Sequence, residues 1–144
     1  MTQAAKIAAM LGGTQALKQR VRRDTELERI VREGIPAETV RVLAERTATT
    51  LTVLQAVTGI DRSTFARRVR AGSRLKRDES DRVVRVARVA ALAIEAMGEV
   101  DGLAWLHEPN RALGDRVPIE LLDTDVGARQ VEQVIGRIEH GVFS

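Results

Sequence analysis

Apolar residues along this chain recur at helical rather than strand spacing. Val40, Leu43 and Ala44 form an i, i+3, i+4 stripe, which predicts a helix with Pro36 at its first position that runs to about Thr47. Leu51, Leu54 and Val57 repeat the spacing behind Thr49 and Thr50, either of which can cap the helix. Gly59 then stops that helix, Ile60 anchors a tight turn, and Asp61 stands where a cap for the next helix belongs. In that next helix Phe65 and Val69 lie four apart on the inward face, and Gly72 ends it. A loop over residues 75–80 feeds a long helix from about Asp78 to Met97. Its seam Val83, Ala87, Ala90, Ile94 and Met97 is spaced 4-3-4-3, and Val84, Val86, Val89 and Ala91 widen it, so much of its circumference is expected to be buried. Arg82, Arg85 and Arg88 are left as an exposed basic stripe.

The flanks are less regular. Residues 1–23 show weak periodicity, a Gly12-Gly13 break and a basic cluster at Lys18, Arg20, Arg22 and Arg23, which suggests a mobile or loosely docked arm, helical in part. Asp24 to Glu33 suits a short helix with Leu27, Ile30 and Val31 on one side and Gly34 as its stop. After Gly98, Leu103, Trp105 and Leu106 suggest another short helix, and Pro109-Asn110 and Pro118 open turns. Thr124 caps a last helix with Val131, Val134, Ile135 and Ile138 on one face. No strand pattern of useful length occurs, so the expected fold is all-α. The expected organisation is an N-terminal arm with helices over 1–35, a helix-turn-helix domain with the long central helix over 36–97, and a small helical domain over 98–144.

At 144 residues with 44% hydrophobic and 30% charged residues, the composition is that of a folded domain. There is no long apolar run and no convincing signal peptide, so the chain is read as cytoplasmic, with no membrane partner. Zero cysteines exclude disulfides and thiolate chemistry. His107 and His140 are too far apart in sequence to suggest a metal cluster, and no cofactor is expected. With two Phe, one Trp and no Tyr, base stacking on single strands is a poor fit. No Gly-rich phosphate loop and no convincing Ser-His-Asp set is present, which argues against an enzyme.

Charge is unevenly placed. Residues 61–90 carry ten Lys/Arg against four Asp/Glu, a net +6, while residues 98–144 carry four against nine, a net −5. A basic middle and an acidic end suggest two partners of opposite character. The basic part contains Gly59-Ile60-Asp61-Arg62-Ser63-Thr64-Phe65-Ala66-Arg67-Arg68, which resembles the turn and second helix of a helix-turn-helix. In that reading Arg62, Ser63 and Arg67 meet base edges or nearby phosphates. Arg68, Arg70, Arg74 and Lys76 make sequence-indifferent phosphate contacts. Thr64 serves either DNA or the helix cap. At the other end, Val142 and Phe143 follow Gly141. Such a tip suits either a wedge for another protein's pocket or a last contact of its own core.

The order Trp105-Leu106, Pro109-Asn110, Ala112-Leu113-Gly114, Pro118, Leu121-Leu122, Gly127-Ala128, Val131 and Gly141-Val142 resembles the toxin-binding domain of Xre/MbcA/ParS antitoxins. Upstream, Leu75, Glu79-Ser80-Asp81-Arg82 and the long helix are similar to the same family's middle section, so the resemblance covers about residues 36–144. It implies an antitoxin that neutralises a RES-domain toxin, an NAD-consuming enzyme, by blocking its active-site entrance, and that represses its own operon. Ile138, Glu139, His140, Gly141, Val142, Phe143 and Ser144 are then the toxin-binding residues. Operator DNA and the toxin are the partners, and a homodimer is expected because one recognition helix reads a half-site. The competing reading is a stand-alone repressor whose C-terminal domain only mediates oligomerisation.

Overall fold

A computed structural model describes residues 1–141. Helices α1 (Gln3–Met10), α2 (Gly13–Leu17) and α3 (Asp24–Glu33) precede α4 (Thr39–Arg46), α5 (Leu51–Thr58) and α6 (Arg62–Ala71). The long α7 (Arg77–Met97) is followed by α8 (Glu99–Leu106), 3-10 turns at Arg111–Leu113 and Pro118–Asp123, and α9 (Asp125–Glu139). Two isolated bridges, Pro36 with Arg74 and Asn110 with Arg116, are the only extended pairings among the described residues, and the fold is all-α.

α7 is the axis. Val83, Val86, Ala87, Val89 and Ala93 have no exposed surface, and α1, α3, α5, α8, α9 and the Pro118–Asp123 turn all pack on it. Its seam loosens toward the C-terminal end, where Ile94 and Met97 are only half-buried. The alanines let neighbours come close, α8 among them. A Cβ on Gly102 of α8 would lie 2.6 Å from the Ala93 carbonyl oxygen, so only glycine fits that crossing.

The first 23 residues are not a loose arm. Ala4, Ile7, Ala8, Leu11, Leu17 and Val21 are buried, and α1 packs against α7, α3 and α4. Lys6 Nζ lies 3.2 Å from Glu95 of α7, and the Arg46 guanidinium of α4 donates to the Ala9 carbonyl. The weak periodicity hid this because alanines carry little hydrophobic signal yet allow helices to approach closely. Lys18, Arg20, Arg22 and Arg23 remain exposed.

Pro36 also departs from expectation, because α4 begins only at Thr39. The preceding residues are strapped to the α6–α7 loop instead. Leu75 N–H donates to the Ile35 carbonyl (2.8 Å), Ala37 N–H to that of Ser73 (3.1 Å), and Ile35 N–H to the buried Ser80 hydroxyl (3.0 Å). Gly34 is required here: at φ +93° its backbone passes so near Leu75 that a Cβ would sit 2.1 Å from that carbonyl oxygen. Thr50, rather than Thr49, caps α5 by accepting from Val53 N–H.

The arginines of α7 correct a further expectation. Arg82, Arg85 and Arg88 are half-buried rather than an exposed stripe. Arg82 Nε donates to the Thr58 carbonyl at the end of α5 (2.6 Å), Arg85 to the Leu122 carbonyl (3.3 Å), and Arg88 Nε to Glu132 of α9 (2.8 Å). Each fastens a neighbouring element to α7 with a charge-assisted bond.

In the C-terminal part, Leu106, Leu113, Ile119, Leu122, Ala128, Val131 and Ile135 form the core, with Trp105 half-buried against it. His107, at the end of α8, reaches back to the α4–α5 loop. Its Nε2 lies 2.9 Å from the Thr47 carbonyl oxygen, which can only accept, so that nitrogen carries the proton. Thr124 caps α9 through Gly127 N–H (2.9 Å), and a Cβ at Gly127 would meet the Leu121 carbonyl oxygen at 2.1 Å. Helix propensity alone favours alanine over glycine by about 1 kcal/mol, but here the backbone must move. Gly127→Ala is therefore expected to destabilise the protein by about 1–3 kcal/mol, measured as a lower urea midpoint; an unchanged or raised midpoint contradicts this packing.

Candidate functional site

Two surfaces stand apart from the core. The first is the turn between α5 and α6. Gly59 takes the left-handed conformation (φ +69°), and Ile60 and Phe65, at 2% and 3% exposure, lock the two helices together. Across the turn, the Arg82 guanidinium of α7 neutralises the carboxyl end of α5. Asp61 caps α6 by accepting from Thr64 N–H (3.3 Å), and the Ser63 hydroxyl donates to the same carboxylate oxygen (2.5 Å). These bonds, the Ser63 hydroxyl first and the Thr64 N–H next, hold the Asp61 carboxyl below its ordinary value of 3.8.

The structure divides the residues singled out for DNA into two groups. Arg62, Ser63, Arg67 and Arg70 are exposed, and with Ala66 they occupy successive turns of one solvent-facing side of α6. Thr64 is half-buried and belongs to the cap. Arg68 is not on the free face. It turns inward to pair with Glu79, and both side chains are nearly out of solvent, at 13% and 10% exposure. Glu79 also accepts from Lys76 N–H at the start of α7 (2.8 Å), so this carboxylate ties α6 to α7 while capping α7. Arg74 likewise donates to the Gly34 carbonyl (2.8 Å). Both were expected to contact phosphate; Arg68 is instead drawn into the fold by a buried carboxylate, whereas Arg74 braces the Gly34 carbonyl and remains exposed. Sequence spacing held one clue to Glu79, which sits three residues after the last non-helical residue, where a capping carboxylate belongs. Nothing in the spacing pointed to Arg68 as its partner.

The second surface is the end of α9. Ile138 is half-buried against the core, while Glu139, His140 and Gly141 are exposed, with Gly141 at φ +73°. The remaining residues expected to bind toxin, Val142, Phe143 and Ser144, lie outside the described residues. Among the described residues, no group of three His, Asp or Glu side chains is arranged to hold a metal ion, and no helix is long and apolar enough to cross a membrane.

The acidic cap sets a pH dependence. The folded carboxyl of Asp61 is depressed, so its contribution to stability is complete above pH 3.8 and is lost as pH falls through the lower folded value. Acid unfolding of Asp61→Asn is therefore expected to be less steep across that window, with a lower thermal midpoint at neutral pH. On the exposed face, Arg62→Ala with Arg67→Ala is expected to abolish operator binding in a gel shift while leaving the thermal midpoint unchanged. Unaltered binding removes α6 as the reading helix.

Comparison with known proteins places both surfaces in context. Residues 26–88 match the antitoxin Xre-like helix-turn-helix domain, and residues 92–141 match the antitoxin Xre/MbcA/ParS C-terminal toxin-binding domain. Antitoxin Xre of Photorhabdus laumondii is 34% identical over 120 residues, covering 82% of this chain and 81% of the relative. Antitoxin Xre of Yersinia enterocolitica is 42% identical over 89 residues, which is 60% of each chain. Among solved structures, a chain of the Mycobacterium tuberculosis MbcT–MbcA toxin–antitoxin complex superimposes with a TM-score of 0.58 at 26% identity, covering 75% of this chain and 96% of that one.

Proposed function

Because the chain belongs to the Xre/MbcA/ParS antitoxin family, which is not an enzyme family, we propose that it neutralises a co-encoded RES-domain toxin, an NAD-consuming enzyme, by closing that enzyme's active-site entrance with its C-terminal segment. The observation that carries this reading is the end of α9. Within a domain matched to toxin binding, Glu139, His140 and Gly141 emerge into solvent next to Val142 and Phe143 in sequence. An enzyme mouth that admits anionic NAD is electropositive, and a C-terminal region of net charge −5 is drawn to it. Val142 and Phe143 supply an apolar anchor, and Gly141 allows close approach.

The same chain represses its own operon as a homodimer. Arg62, Ser63, Arg67 and Arg70 of α6 enter the major groove, and the Ala66 methyl is placed for contact with a thymine methyl. Two copies present two such helices to the two half-sites of an operator. Arg68, held by Glu79, supports this surface from behind and makes no phosphate contact. The place of action is the cytoplasm, where operator and NAD are both found.

A chain that stops at Glu139 separates the two activities. It is expected to stay folded and to shift operator DNA with unchanged affinity, yet to fail to protect cells or their NAD pool when the toxin is induced. Full protection by this shortened chain defeats occlusion by the C-terminal segment.

A further inference from the structure

α8 and α9 contain three glycines within their helical spans, and two of them are explained by the fold. Gly102 is pressed against the Ala93 carbonyl and Gly127 against the Leu121 carbonyl. Gly136 is different. Among the described residues, apart from its chain neighbours and the backbone of its own helix, no heavy atom lies within 4 Å of the place its Cβ would occupy. Its backbone is ordinary helix, and its carbonyl accepts from His140 N–H (3.1 Å). Gly136 lies in the last turn of α9, and a glycine within a helix is a poorer helix former than any residue but proline. Among the described residues nothing packs into the space its side chain would fill.

A second observation lies at the same place. Gln133, Gly136, Arg137 and His140 line a shallow hollow of about 380 Å³ on the solvent side of α9. Gln133, Arg137 and His140 are exposed. The missing side chain forms its floor, and the three others surround it with hydrogen-bond donors. The opposite side of the helix, through Val131, Val134 and Ile135, is buried in the core. Residues 133–140 also fall within the region matched to toxin binding and adjoin the exposed end at Glu139 and His140.

We infer that Gly136 is a notch into which the toxin seats a loop, bringing a backbone carbonyl or carboxylate oxygen against Arg137 and Gln133. The toxin-binding surface thus extends from the C-terminal segment onto the solvent face of α9, and it discriminates between toxins by how closely their loop approaches the helix backbone. This rests on the antitoxin reading above. It also accounts for the glycine: a side chain whose absence no described neighbour requires leaves room for an external one.

The test uses the full-length chain and the RES-domain toxin encoded beside it, with Gly136→Ala and Gly136→Gln as variants. Thermal melting of the free variants is expected to show a midpoint equal to or above that of the unaltered protein, since alanine and glutamine are better helix formers. Toxin affinity by calorimetry is expected to fall about tenfold or more for alanine and further for glutamine, with operator binding unchanged. Affinity within twofold of the unaltered protein for both variants overturns the notch while leaving the antitoxin reading intact. A lowered melting midpoint for Gly136→Ala also overturns it, since the space is then filled by the protein's own chain. If the unaltered protein itself does not bind the toxin, the antitoxin reading falls, and the notch with it.

Discussion

Most of the helical elements of this protein pack on α7. Val83, Val86, Ala87, Val89 and Ala93 are withdrawn from water by helices that arrive from both the N-terminal and the C-terminal parts of the chain. Burial of that apolar surface is the main favourable contribution, but it has no direction and does not set how each partner is oriented. Polar groups on the same helix do that. Glu79 holds Arg68 of α6, Ser80 holds the backbone of Ile35, Arg82 holds the end of α5, Arg85 the Pro118–Asp123 turn, and Arg88 holds α9.

This arrangement links the two candidate surfaces through one continuous helix. The regions matched to the helix-turn-helix and to toxin binding meet between residues 88 and 92, inside α7 rather than in a linker. The turn that presents α6 is fastened to the first half of the helix, and α8 and α9 pack along it. His107 adds a second tie, from the end of α8 to the α4–α5 loop that leads into the DNA-reading pair. The two matched domains thus share one continuous core, with the exposed face of α6 and the exposed end of α9 as the surfaces proposed to work.

Arginine does two jobs in this chain, and local environment separates them. Arg62, Arg67 and Arg70 keep their guanidinium groups in water, where they are available to a polyanion. Arg68, Arg82, Arg85 and Arg88 are half-buried and turned toward carbonyl or carboxylate oxygens of the fold, and so are spent on it, whereas Arg74 bonds the Gly34 carbonyl while staying exposed. The net charge of the segment therefore overstates the charge it offers to DNA. In the proposed mode of binding, the outward-facing members of α6 and its flanks carry the field that a duplex meets.

Much of this was written in the residue pattern. The 4-3-4-3 seam of α7, the caps Thr50, Asp61 and Thr124, the stops Gly34, Gly59 and Gly72, and the Ile60–Phe65 lock are local features. They depend on neighbours a few positions away, so periodicity and capping chemistry reveal them. What tertiary structure decided involves partners far apart in the chain: the docking of α1 on α7, the strap that delays α4 to Thr39, and the inward turn of Arg68 onto Glu79. The same holds for the glycines. Sequence marks Gly102, Gly127 and Gly136 alike as poor helix formers, and only the packing around each shows that two of them face carbonyl oxygens while the third meets no described neighbour. Spacing along a chain determines which side of a helix a residue occupies, whereas what stands opposite that side is determined only when distant segments meet.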